Sequence, residues 1–269
     1  MEQQKKVILL AGPTSSGKSA LAIKLAQHFN GEIINADSMQ VYKEISILNS
    51  KPNSKDIKIV KHHLYGFYPV KKNFSTGLWL KMALKKIEDL WLNERMPIIV
   101  GGTGLYFKAL TDGLVKIPDI PNSFRTQIRK LHKKIGQKKF FIRLIKLDPF
   151  VEKFILPSDT HRSMRAYEVK KFTNRSLFEF IKDTKSNFNK NVFKKIFINT
   201  PRELLNQKIQ TRVEKMFRDG AVNEVKKFGK LKVRKDVSSQ KIIGIKEIND
   251  YLLNKITINE AKELIAQKT

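Results

Sequence analysis

Val7-Ile8-Leu9-Leu10-Ala11-Gly12-Pro13-Thr14-Ser15-Ser16-Gly17-Lys18-Ser19 joins two signals in one stretch. Lys6 to Ala11 is a short apolar run that stops at a glycine turn, which is how a buried parallel strand reads. Gly12 to Ser19 then matches G-x-x-x-x-G-K-S/T. A helix is predicted to follow, because Ala20 to Phe29 sets Leu21, Leu25 and Phe29 four residues apart and Asn30-Gly31 can end it in left-handed geometry. Strand, glycine-rich loop and helix in that order make a cradle for a diphosphate. The glycines let backbone N–H groups wrap the anion at the positive end of the helix dipole, Lys18 adds a point charge, and the Ser19 hydroxyl can ligate Mg²⁺. Gly12, Pro13, Thr14, Ser15, Ser16, Gly17, Lys18 and Ser19 are therefore the expected diphosphate-binding residues.

Outward from this loop, Glu32 to Asp37 reads as a second strand and Met96 to Val100, ending in Gly101-Gly102-Thr103-Gly104, as a third. Strands alternating with helices imply an α/β fold: a P-loop NTPase-like parallel sheet flanked by helices, with ligands at the carboxyl ends of the strands. The pattern changes at Ile117-Pro118-Asp119-Ile120-Pro121, after which apolar residues recur at helical spacing. The expected organisation is a first core part at 1–116, a basic helical insertion at 117–195, and a second core part at 196–269. Lys195-Ile196-Phe197-Ile198-Asn199 resembles a returning strand, and Thr200-Pro201-Arg202-Glu203 a capping box opening a helix.

The 53 basic residues stand against 25 acidic ones, a formal charge of +28. Charge of one sign on this scale costs self-repulsion and fits a polyanionic partner. Lysine outnumbers arginine 42 to 11, so part of the excess is a solvated lysine exterior. The stretch 117–195 holds 20 basic and 7 acidic residues, more than twice the charge density of the rest. Cysteine is absent, which excludes a disulfide framework, a thiolate metal site and a cysteine nucleophile. No run approaches the roughly 18 apolar residues of a membrane span, and Met1 to Lys6 leads into a strand rather than a signal peptide. The expectation is a cytoplasmic, monomeric protein with no membrane partner.

A phosphate loop does not by itself choose a reaction. A hydrolytic NTPase ends a hydrophobic strand in a magnesium-binding aspartate, whereas Ile98-Ile99-Val100 ends in glycines. The carboxylate at a strand end is Asp37. It sits across the crevice from the loop in a doubly wound sheet, ready to act on an acceptor or a metal; alternatively it is a turn residue capping the next segment. A small-molecule or nucleotide kinase uses the same parts but leaves the basic insertion idle, and would need ATP as donor. An RNA-binding module with a docking loop would have no need of Lys18, Ser19 and Asp37 together.

Gly12 to Ser19, Asn35-Ala36-Asp37-Ser38-Met39-Gln40-Val41-Tyr42-Lys43, Lys51-Pro52, His62-His63-Leu64, Gly101-Gly102-Thr103-Gly104-Leu105-Tyr106, His161 to Val169, Arg212-Val213 with Met216 and Gly220, and Gln240 to Glu247 resemble the tRNA dimethylallyltransferase family in order and spacing. The resemblance spans nearly the whole chain. It implies transfer of a dimethylallyl group from dimethylallyl diphosphate, with Mg²⁺, to N6 of the adenosine 3′ of the anticodon, in tRNAs that read codons beginning with U. By resemblance, Asp37 is the catalytic base, Lys18 and Thr103 act at the departing oxygen, and Arg212 clasps the diphosphate. Ser38, Met39 and Gln40 would read the target base, with Asp37 and Thr103 beside it. Arg125, His161, Arg162, Ser163, Met164 and Arg165, together with Lys241, Ile242, Ile243, Gly244, Ile245 and Lys246, would hold the anticodon stem-loop. The chain departs from the family at Asn49, where threonine is usual, and at Gly66, where aspartate follows the two histidines. It stops at Gln267-Lys268-Thr269, where a further arginine-, lysine- and tryptophan-containing segment is expected. The adjacent His62-His63 cannot both face one ion from a regular element and are expected to serve local structure.

Overall fold

A computed structural model describes residues 5–269, so Met1 to Gln4 of the opening segment lie outside the described residues. Within it the chain forms two compact units, one made of the described residues up to Thr111 together with Phe188–Thr269, the other of Asp112–Asn187.

The first unit is built on a parallel sheet. Its strands are β1 (Val7–Ala11), β2 (Gly31–Asn35), β3 (His62–His63), β4 (Met96–Gly101) and β5 (Phe193–Phe197), in the order β3-β2-β4-β1-β5. Ile33 pairs with Ile98 and Ile98 with Ile8, so isoleucines run in register across the three inner strands. All five β2 positions are buried, as expected of a strand covered on both faces. On one side α1 (Lys18–His28) packs Ala22 and Ala26 against Ile8, Leu10, Ile33, Ile98 and Val100. Elsewhere α3 (Thr76–Leu92), which follows the short α2 (Ser54–Ile59), buries Trp79, Ala83 and Ile87. The Trp79 indole donates to the Asn35 carbonyl at 2.7 Å and stacks on Tyr106 of α4 (Gly104–Asp112), with ring centroids 4.3 Å apart. A buried indole N–H thus finds its acceptor in the carbonyl at the end of β2.

β5 begins two residues earlier than the apolar run suggested. It is an edge strand whose Lys194 and Lys195 are exposed, a charge placement that protects an open edge and hides the strand from hydrophobicity. The predicted capping box after β5 is absent. Pro201, at φ −53° and ψ 140°, is the N-cap residue and has no side-chain acceptor, so the helix starts at Arg202 and Thr200 lies one residue too far back.

The second unit is helical. Its α5 (Asn122–Leu147) is interrupted at Gly136 (φ 76°, ψ 164°), and α6 (Thr160–Thr173) and α7 (Leu177–Lys182) follow. Ile128, Phe140, Phe141, Leu144, Val151, Ile155, Ala166 and Tyr167 form its own core. The unit holds 18 basic and 8 acidic residues. Its charge excess is milder than that of the stretch 117–195, because Lys190, Lys194 and Lys195 belong to the sheet unit. Back in the first unit the chain continues as α8 (Arg202–Arg218), α9 (Ala221–Lys230), α10 (Ile245–Leu252) and α11 (Ile258–Lys268), with α11 packed on α8 and α10.

Candidate active site

The carboxyl ends of β1, β2 and β4 open on a cavity of about 630 Å³. Thr14 to Ala20 form one wall, Asp37, Met39 and Gln40 another, and Arg212 and Lys241 to Ile243 contribute from the C-terminal helices. The loop takes the conformation its glycines allow. Gly17 sits at φ 89° as the N-cap of α1, and Ser15 adopts φ 62°, both in the left-handed region. At the neighbouring strand end, a side chain on Gly101 would run into the Ala36 backbone. Glycine there lets the ends of β4 and β2 close together.

Cations and unsatisfied donors converge at this end of the sheet. Burial pushes the Lys18 ammonium below the ordinary lysine value, the Asp37 carboxylate opposes that shift, and the Arg212 guanidinium adds to it. Arg212 is likewise pushed down by burial and held up by Asp37. The Lys18 ammonium donates to the Pro13 carbonyl. The hydroxyls of Ser15 and Ser16 and Nε of Arg212 are buried without a hydrogen-bond partner. Buried donors in that state are costly, and the three residues that carry them border the same cavity.

Asp37 is held by its neighbours. Asn35, fully buried, accepts from the Asp37 N–H at 2.8 Å and donates to the Asp37 carbonyl at 2.9 Å and to the Leu64 carbonyl at 2.9 Å. One carboxylate oxygen accepts from the Met39 N–H at 2.8 Å, an Asx turn. Among the described residues the other oxygen is left free. One oxygen thus shapes the turn, as a capping residue does, and the second carries no hydrogen bond among the described residues. Thr103 accepts from the Ser38 N–H at 3.0 Å and its hydroxyl lies 3.4 Å from that of Ser38, so it braces the Asp37–Ser38 turn.

The IPP transferase family model matches residues 40–269, and the isopentenyl transferase model residues 5–72. A tRNA dimethylallyltransferase of Pelagibacter ubique (strain HTCC1062) is 53% identical over 269 residues, covering 100% of this chain and 86% of that protein. The chain belongs to the IPP transferase family. A Rickettsia bellii (strain OSU 85-389) tRNA dimethylallyltransferase is 44% identical, over 99% of this chain and 85% of its own length. Among solved structures, the full-length tRNA isopentenylpyrophosphate transferase of Bacillus halodurans aligns with a TM-score of 0.69 at 30% identity, covering 98% of this chain and 82% of that one. A eukaryotic dimethylallyltransferase described as acting on tRNA aligns with a TM-score of 0.84 at 27% identity, over 98% of this chain and 67% of that one. The P-loop NTPase-like fold expected from the loop is thus the fold of the family.

The remaining site residues divide between the units. Lys241, Ile242 and Ile243 border the cavity, Gly244 is the N-cap of α10 at φ 102°, Ile245 is buried and Lys246 exposed. In the helical unit, Arg125, His161, Met164 and Arg165 line a separate cavity of about 290 Å³ with Arg129 and Glu168. Arg125 Nε is buried there without a partner, and Arg165 lies 3.5 Å from the buried Glu168. Arg162 is exposed beside Asp159. Ser163 is fully buried, its hydroxyl donating to the Asp159 carbonyl and accepting from Gln137, so it packs the unit and has no surface to offer RNA.

Tyr65, Asn49 and Ser50 border the main cavity without having been singled out as site residues. Burial and the nearby Asp37 charge push the Tyr65 phenol well above its ordinary value, so it stays a neutral hydroxyl. Asn49, one of the departures from the family pattern, donates to the Met39 carbonyl. The histidine pair serves structure: His63 meets Glu32 at 2.6 Å and His62 the Val60 carbonyl at 2.7 Å. Lys51 donates to the carbonyls of Tyr42 and Lys43, and at Gly66 a side chain would press on it.

Proposed function

We propose that the chain transfers a dimethylallyl group from dimethylallyl diphosphate to N6 of the adenosine 3′ of the anticodon in tRNAs reading codons that begin with U. The observation that carries this reading is the single cavity that Lys18, Arg212, Ser15, Ser16 and Asp37 line together, with Lys18 and Arg212 both within reach of the Asp37 charge. The loop end binds a diphosphate, and its amides, Lys18 and Arg212 stabilise the charge that grows as the carbon–oxygen bond breaks. The adenine amine is a weak nucleophile, its lone pair delocalised into the ring. As N6 bonds to the allylic carbon and diphosphate leaves, Asp37 accepts the N6 proton. Met216, Ile242 and Ile243 give the allyl group an apolar wall.

Mg²⁺ takes oxygen donors, and the Ser19 hydroxyl, in the first turn of α1 at the border of the cavity, would hold it together with the diphosphate oxygens. When bound it supplies further neutralisation of the leaving diphosphate. Met39 and Gln40 read the acceptor base, extruded from the anticodon loop, and Arg125, His161 and Arg165 take RNA phosphates. The reading puts the protein in the cytoplasm, working as a monomer.

The test is nucleoside mass spectrometry after incubation with Mg²⁺, unmodified tRNA and either dimethylallyl diphosphate or ATP. N6-dimethylallyladenosine is expected with the allylic donor alone, and Asp37→Ala should lower kcat by about 10²–10⁴-fold while donor binding persists. ATP turnover on small hydroxyl acceptors with no modified nucleoside would replace this reading by a kinase.

A further inference from the structure

Glu224 of α9 lies outside the cavity, yet three consecutive backbone donors converge on it. Its Oε1 accepts from the Ser46 N–H at 2.6 Å and the Ile47 N–H at 2.9 Å, and its Oε2 from the Leu48 N–H at 3.0 Å. A row of peptide N–H groups on one carboxylate is a strong, directional anchor, because each bond is charge-assisted and the geometry admits few alternatives. The ammonium of Lys51, at the far end of the same loop, also feels the Glu224 charge while it ties down the Tyr42 and Lys43 carbonyls.

What is anchored then reaches the acceptor side of the site. Leu48, Asn49 and Ser50 border the cavity. The Gln40 side-chain amide donates to the Asn49 carbonyl at 2.8 Å and the Ser50 carbonyl at 3.2 Å, and the Asn49 side chain donates to the Met39 carbonyl. The path from Glu224 to the residues facing the base is thus a continuous set of hydrogen bonds. None of these hydrogen bonds involves the phosphate loop. We infer that Glu224 is a positioning residue, which fixes the 46–50 loop and through it the Met39–Gln40 edge of the site, so that it governs acceptor binding and leaves donor binding alone. This rests on the reading of Met39 and Gln40 as the acceptor-base contacts.

Glu224→Ala and Glu224→Gln separate this role from a general loss of fold. Steady-state kinetics on an anticodon stem-loop should show the acceptor KM rising by about tenfold in Glu224→Ala, with the donor KM within about twofold of the parent. Glu224→Gln, which keeps one neutral acceptor oxygen for the amides and replaces the other by an NH₂ donor, should fall between the two. Hydrogen exchange at Ser46, Ile47 and Leu48 should accelerate in the free Glu224→Ala protein, a readout that needs no substrate. A merely structural residue would lower kcat in proportion to the folded fraction and leave both KM values in place; that outcome, or a parallel rise in both constants, would overturn the inference. Loss of acceptor activity in the parent protein itself would instead remove the tRNA reading on which the role depends.

Discussion

Lys18 carries opposing demands that its surroundings make measurable. In the free protein, burial and the Arg212 charge lower its affinity for a proton, with Asp37 compensating in part. A lysine whose folded value lies below its unfolded value costs stability while it is protonated in both states, and the cost fades as pH rises through the lowered value toward 10.5. Lys18→Met should therefore raise Tm at neutral pH, by an amount that shrinks in alkaline buffer. The same change should weaken donor binding by about 10²-fold, since the point charge opposite the diphosphate is gone. In the parent, kcat/KM for the donor should fall on the alkaline side below the ordinary lysine range, whereas kcat should hold to higher pH, because a bound diphosphate restores the proton. Thermal denaturation across pH, paired with the two kinetic profiles, checks each sign. A Tm that dropped in Lys18→Met would mean the ammonium is already well compensated by Asp37.

At the scale of elements, α10 depends on how its first residue is bent. Gly244 stands at φ 102°, its N–H bonded to Glu247 at 2.9 Å. Burial alone would raise the Glu247 carboxyl, but the Lys268 ammonium at 2.6 Å and that backbone donor hold it below the ordinary range. A Cβ on Gly244 would press against Leu48. Gly244→Ala is expected to cost roughly 1–2 kcal/mol from the left-handed conformation alone, and more from displacing Leu48. Urea denaturation should show a lower midpoint with an unchanged slope, and the acceptor KM should rise because Leu48 borders the cavity. How far such elements are legible in the sequence follows from their physics. The β1–loop–α1 unit declares itself, because each glycine has a backbone reason. β4 does so through its apolar run and terminal glycines, and Asp37 through its place after β2. The two-residue β3 carries no hydrophobic signature to read, the edge strand β5 shows one only in its second half because Lys194 and Lys195 interrupt the first, and Glu224 looks like one more surface acid because its partners are backbone amides 176 to 178 residues away. Ser163 sits inside a stretch that resembles an RNA contact, but helix periodicity turns it to the core while Arg162 faces out.

For the molecule as a whole, the charge of +28 can act as a diffuse field or through defined contacts, and salt distinguishes them. Each RNA phosphate neutralised at a contact releases counterions, so the logarithm of affinity should fall with the logarithm of salt by about 0.7 per contact on single strands. Unpaired Arg125 Nε, beside Arg129 and Arg165, marks a place where such a contact is built. Removing one of these arginines should weaken tRNA binding and reduce the salt slope by about 0.7. Lys194, exposed on the edge strand, contributes the same unit charge without a cavity around it, and Lys194→Gln should leave the slope unchanged. Fluorescence anisotropy of a labelled stem-loop across a salt series, with each single variant, gives the comparison. Equal reductions for Lys194 and the arginines would mean that summed field, not geometry, recruits the RNA; a reduction confined to the arginines assigns recruitment to the helical unit.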